Sequence, residues 1–155
     1  MYSAHSHQED PVAADALAAV DCWVFDVDGC LVDSLTGTSL RPGAGALLEH
    51  LGSTGRVILW SAGGGAYARS RAEQFALDGH VSGYFPKEGR DDEGCYVTGH
   101  LPLDVGRVVF VDDRPEDLAP GLEVLAVSPY LSDDPYDHGL EAVARRAGLP
   151  PSAPR

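Results

Sequence analysis

The sequence predicts an α/β domain: a mainly parallel sheet with helices on both faces. Three observations predict it. Short apolar runs recur along the chain at Cys22–Phe25, Val57–Trp60 and Arg107–Val111, and they are rich in the aromatic and β-branched residues that suit strands covered on both sides. Stretches with helical patterning separate them, as in successive strand–helix–strand units. Each run also ends in polar residues: Asp26 and Asp28, Ser61, and Asp112 with Asp113. Parallel strands place their carboxyl ends on one edge, so these five residues are expected to meet there.

Length and composition set the frame. A chain of 155 residues suits one domain with a real core. We expect a tail over 1–12, a single domain over 13–149 and a second tail over 150–155. The apolar content is 44% and no apolar run reaches membrane-spanning length. The first residues lack the basic and hydrophobic regions of a signal peptide, so the expected compartment is the cytoplasm. Cys22, Cys30 and Cys95 are odd in number and form no C-x-x-C pair, which supports neither a disulfide framework nor a zinc site. A net charge of −13 argues against binding to a nucleic-acid backbone.

Taken in order, Pro11–Val20 is Ala-rich and predicts a short leading helix. Cys22–Val27 is the first strand, and Gly29 allows a sharp turn just past its two carboxylates. Arg41-Pro42-Gly43 opens a helix expected to run to about Leu51, with Gly52 beyond its end. Val57–Trp60 leads through Ser61 and the turn Ala62-Gly63-Gly64-Gly65 into a helix over 66–77. A short strand over 81–85 precedes Pro86 and Lys87, the single lysine among eleven basic residues. The polar excursion 88–106 contains Cys95-Tyr96-Val97, a candidate hairpin strand. Strands over 107–111 and 124–127 and a helix over 140–147 complete the pattern.

Two carboxylates one residue apart facing one crevice repel, so they need a cation, a shared proton or a division of labour. An isolated D-x-D-G is more often an Asp-rich turn or a helix cap, Ser61 fits a helix cap, and Lys87 fits a solvated loop. Their joint occurrence at strand ends is what points to chemistry. Carboxylate oxygens from Asp26 and Asp112, with Asp113 nearby, suit a hard cation such as Mg²⁺. The Ser61 turn offers a hydroxyl and backbone N–H groups to a phosphate, and Lys87 adds a charge. Together these parts describe phosphoryl transfer through a carboxyl phosphate.

The segments DVDGCLVDS, VILWS, Lys87 and VVFVDDRPED resemble, in order and spacing, the four motifs of the haloacid dehalogenase (HAD) superfamily over about 21–127. The resemblance implies a Rossmann-like HAD core. It implies Asp26 as nucleophile and Asp28 as general acid and then base, a pair that favours phosphatase chemistry. It further implies Mg²⁺ held by Asp26, Asp112 and the Asp28 carbonyl, a phosphoryl group held by Ser61, Ala62 and Lys87, and supporting acids at Asp113 and Asp117. A finer likeness, in RPG at 41–43, Tyr67-Ala68, GCYV at 94–97 and VDDRP at 111–115, is to phosphatases of the RNA polymerase II carboxy-terminal domain. Two departures accompany it. Cys30 replaces the Thr of D-x-D-x-T, and Thr98-Gly99-His100 stands where those enzymes place their lysine.

No segment is long enough for a folded cap domain, so an open site is expected. Such a site admits a phosphorylated small molecule or the phosphorylated end of a macromolecule, or it is closed by a second copy in a homo-oligomer. A nucleotidase or phosphotransferase on the same residues, and a catalytically idle binding module, are the alternative readings.

Overall fold

In the computed structural model, which describes residues 16–104 and 106–150, Cys22–Phe25 forms β1 at the centre of the molecule. The chain continues through α1 (Ala44–Thr54), β2 (Arg56–Ser61), α2 (Gly65–Gln74), β3 (Gly83–Pro86), β4 (Val108–Asp112), β5 (Val124–Ala126) and α3 (Glu141–Arg146). All five strands are parallel, in the order β3-β2-β1-β4-β5. Phe25, the last residue of β1, pairs with Leu59 on one side and Val111 on the other, so β2 and β4 run on past the end of β1 to Ser61 and Asp112. The chain builds outward from β1 to β3, then crosses back to start β4 on the other side of β1. This reversal opens a crevice beyond the carboxyl ends of β1 and β4, where open α/β sheets bind ligands.

Side chains alternate between two layers along each strand. Trp23, Phe25, Val57, Leu59, Val109 and Val111 face a core completed by α1, α2 and α3. From α1, Ala44, Leu47, Leu48 and Leu51 are buried at the spacing of one helical stripe, and each such leucine contributes about 1.5–3 kcal/mol. Cys22, Val24, Ile58, Trp60 and Phe110 face the opposite way, onto Leu101, Leu118, Tyr96 and Leu103.

The expected α/β class is therefore present, as a parallel sheet with helices packed against it. Among the described residues α1, α2 and α3 pack on one face, and Tyr96, Leu101, Leu103, Leu118 and Leu122 cover the other. Among its described residues the excursion 88–106 carries one isolated bridge, Arg90 with Tyr96, in place of a hairpin strand. It uses its apolar residues to pack beneath the sheet. Gly52 does not end α1, which runs on to Thr54. A Cβ on Gly52 would meet the His80 carbonyl at 2.8 Å, so that glycine permits close packing. The second helix stops at Gln74 rather than 77, because Ala76 turns out with a φ of 57°. Residues 16–20 carry no helix, and the rest of the expected leading helix and both tails lie outside the described residues, apart from Pro150.

Candidate active site

Four strand ends supply the site. Asp26 follows β1, Ser61 ends β2, Lys87 follows β3 and Asp112 ends β4. The backbone fastens them together: Asp26 N–H donates to Val111 O at 3.0 Å, and Lys87 N–H to Ser61 O at 2.8 Å. The turn after β1 is tight, with the Val27 carbonyl accepting from the N–H groups of Cys30, Leu31 and Val32. Gly29 holds a φ of 79°, and a Cβ there would lie 2.6 Å from Asp113 Oδ2. Only glycine fits both constraints.

The carboxylates of Asp26, Asp112 and Asp113 converge, with an oxygen of each lying within 4.8 Å of the others. Lys87 Nζ bridges two of them, at 3.1 Å from Asp26 Oδ1 and 2.9 Å from Asp112 Oδ2. Asp112 Oδ1 accepts from the Arg114 N–H at 2.8 Å. Asp113 Oδ1 is buried without a hydrogen-bond partner. A buried carboxylate oxygen left free beside two other carboxylates is what a hard cation requires, so these three residues fit Mg²⁺.

Burial sets the electrostatics. It pushes the Asp26 carboxyl well above the usual range, with Lys87 opposing and the Asp112 and Asp113 charges adding to it. Burial also raises Asp112, despite Lys87 and the Arg114 N–H. For Lys87 burial works against the charge, but the carboxylates of Asp26 and Asp112 outweigh it and raise the ammonium's pKa. The lysine also stands between two aromatic rings, 5.1 Å from the Trp60 centroid and 5.2 Å from that of Tyr96. Arg90 stacks on Tyr96 at 4.0 Å.

Asp28 lines the same cleft but lies outside the carboxylate trio. Its Oδ1 accepts from the Tyr67 hydroxyl at 2.5 Å. Burial, followed by that bond, raises the Tyr67 pKa, so the phenol stays a donor. Ser61 is buried with its Oγ accepting from Gly63 N–H at 3.0 Å, and Ala62 is exposed beside it. The cleft measures about 630 Å³, and its rim includes Arg90, Arg114, Glu116, Pro129 and Leu131.

The structure thus brings Asp26, Asp28, Ser61, Ala62, Lys87, Asp112 and Asp113 to one cleft. Asp117 reaches only its rim, engaged by Arg114 Nε at 3.1 Å and Arg90 at 3.6 Å. Cys30 is fully buried, its thiol kept protonated chiefly by that burial and directed at Val111 O at 3.8 Å. A thiol therefore fills the threonine position without opening a gap.

The family model of the NLI interacting factor-like phosphatases (NIF) matches residues 21–147. The chain belongs to this family. It is a phosphatase, and so a hydrolase. No curated protein matches the chain. In this NIF-family phosphatase Lys87, from the end of β3, stands against the acids, while Thr98-Gly99-His100 packs beneath the sheet edge with His100 bonded to Pro86 O at 2.6 Å. Among the described residues no helix is long and apolar enough to cross a membrane.

Sequence reasoning missed the aromatic pair around Lys87, the arginine rim and the Tyr67 bond to Asp28. One signal was available for the first: Trp60 immediately precedes Ser61 and alternates to the opposite face.

Proposed function

We propose that this phosphatase hydrolyses phosphate monoesters through a phosphoryl intermediate on Asp26. The supporting observation is the convergence of Asp26, Asp112 and Asp113 within 4.8 Å around one ammonium, with Asp28 in the same cleft. Asp26, Asp112 and Asp113, with the Asp28 carbonyl, would hold Mg²⁺. That ion supplies charge neutralisation between a carboxylate nucleophile and a phosphate dianion.

The chain's own groups carry the steps. An Asp26 oxygen attacks phosphorus as the ester P–O bond breaks, and Asp28 gives its proton to the departing oxygen. Asp28, now a carboxylate, takes a proton from water as that water attacks phosphorus and releases Asp26. Lys87 opposes the loss of charge that burial imposes on Asp26 and faces the transferring oxygens. The Ser61 oxygen is already occupied by Gly63 N–H, so its hydroxyl proton is left to donate to the phosphoryl group, beside the Ala62 N–H. Asp113 supports the cation, and Asp117 fixes the arginines of the rim.

The substrate class we propose is a small phosphorylated molecule or an exposed phosphate on a macromolecule other than nucleic acid, which the charge of −13 disfavours. Three buried free thiols suit a reducing compartment such as the cytoplasm. The test is Asp26→Asn assayed on an aryl phosphate, with and without Mg²⁺ and EDTA. The variant is expected to fold and to lose turnover, and wild type to stop in EDTA and recover with Mg²⁺. Turnover by Asp26→Asn at the wild-type rate would remove Asp26 from the mechanism.

A further inference from the structure

We propose that Tyr67 is a positioning residue that decides which oxygen of Asp28 carries the catalytic proton. The inference rests on the acid and base role given to Asp28 above. Tyr67 is held for the task from several sides. It is the third residue of α2, and its ring lies against Gly63, where a Cβ would come within 2.8 Å of Tyr67 Cδ2. Its hydroxyl lies over Gly37, where a Cβ would come within 3.3 Å. The Arg71 guanidinium covers the ring at 4.9 Å, its other end bonded to Gln74, so the phenol is clamped between a glycine turn and a cation.

The clamped hydroxyl donates to the catalytic cleft through the 2.5 Å bond from Tyr67 Oη to Asp28 Oδ1. Asp28 is only half-buried, and a carboxyl at a cleft wall would otherwise rotate and offer either oxygen. With Oδ1 taken as acceptor, a proton on Asp28 resides on Oδ2. From there it passes to the leaving oxygen while the Asp26–phosphorus bond forms and the ester bond breaks. In the second half, Oδ2 takes the proton of the attacking water. Tyr67 keeps its own proton throughout, so the cycle balances without it.

A residue that orients a general acid matters in proportion to how much the leaving group needs a proton. Alkyl alkoxides need one, whereas dinitrophenolate does not. For Tyr67→Phe, kcat/KM on an alkyl phosphate is expected to fall roughly 10- to 100-fold, a share of what general acid catalysis and its alignment provide. On dinitrophenyl phosphate the same quantity is expected to change by less than about threefold, since only the phosphorylation step is read. Mg²⁺ affinity by calorimetry and the far-UV circular dichroism spectrum are expected to match wild type. Adding Tyr67→Phe to Asp28→Asn is expected to cause no further loss.

Equal losses on both esters, a change confined to KM, or full activity on the alkyl ester would each overturn the role given to Tyr67. Asp28→Asn separates this from the larger reading. If that variant keeps its alkyl phosphatase activity, the acid and base assignment itself fails. If it is inactive on the alkyl ester while Tyr67→Phe is not, only the positioning role is lost.

Discussion

Replacing Lys87 by Met tests the electrostatic balance of the site directly. The ammonium lies 3.1 Å from Asp26 and 2.9 Å from Asp112, and the three side chains are 6%, 11% and 2% exposed. At an effective dielectric of about 20, a pair about 3 Å apart gains roughly 5.5 kcal/mol of Coulomb energy. Desolvating each ion offsets several kcal/mol of that gain, and removing one member of a buried pair typically costs about 3–5 kcal/mol. Methionine refills most of the volume between Trp60 and Tyr96, so the loss reports charge more than packing. Metal-free Lys87→Met is therefore expected to lose about 3–5 kcal/mol near neutrality, a large share of a total stability of about 5–15 kcal/mol.

Two controls give that number its meaning. Saturating Mg²⁺ should recover much of the loss, because a ligand at 100 times its dissociation constant adds about 2.7 kcal/mol. Mild acid should recover part of it too. Burial already raises the carboxyls of Asp26 and Asp112, so without Lys87 they take up protons first, and the native state gains as pH falls. The assay is urea unfolding followed by circular dichroism, in EDTA and in Mg²⁺, at neutral and mildly acidic pH. A loss below about 1 kcal/mol, or one that neither metal nor acid reduces, refutes the reasoning.

Three further outcomes are expected. Asp113→Asn should weaken Mg²⁺ binding by about tenfold or more in calorimetry while leaving the fold intact, and an unchanged affinity would exclude this side chain as a ligand. Asp33 is buried and accepts from Thr36 N–H at 2.7 Å, Thr36 Oγ1 at 2.8 Å and Ser39 N–H at 2.9 Å. Burial alone would raise its pKa, but these donors, led by Ser39, lower it. Its stabilisation is thus full above the unfolded carboxyl value of about 3.9 and disappears as pH falls through the lower folded value. Asp33→Asn should be less stable by about 1–3 kcal/mol at neutrality and show a flatter acid limb in denaturation curves. Arg41, wholly buried, grips Asp137 at 2.6 and 3.2 Å and also reaches the Cys30 carbonyl at 3.3 Å. Asp137→Ala should cost about 3–5 kcal/mol and slow turnover, because the guanidinium steadies the turn after Asp28. Unchanged melting and kinetics would show that the pair is incidental.

Much of this was legible because the code is local. The runs at 22–25, 57–61 and 108–112 are apolar, strand-length and polar-tipped, and that pattern fixes both the sheet and the edge at which the acids gather. What failed depends on partners distant in the chain. The spacing of Leu47, Leu48 and Leu51 tells which side of α1 is buried, but not which face of the sheet receives it. Gly52 reads as a stop signal from its neighbours alone, yet the carbonyl of His80 explains it. Asp113 reads as a supporting acid because its neighbour Asp112 ends the strand. Its orphaned oxygen appears only once Gly29 makes room. The Tyr67 bond spans 39 positions, and nothing local predicts it.

Lys87 hangs from β3, the outermost strand on its side, whose only ladder partner among the described residues is β2 and whose four residues are all just partly covered. Peripheral strands fray before central ones, so the cation and the acids it serves belong to regions of unequal local stability. Dilute denaturant should release the ammonium, and with it turnover, while β1 and β4 still protect their amides from exchange. The catalyst would switch off well before the protein melts.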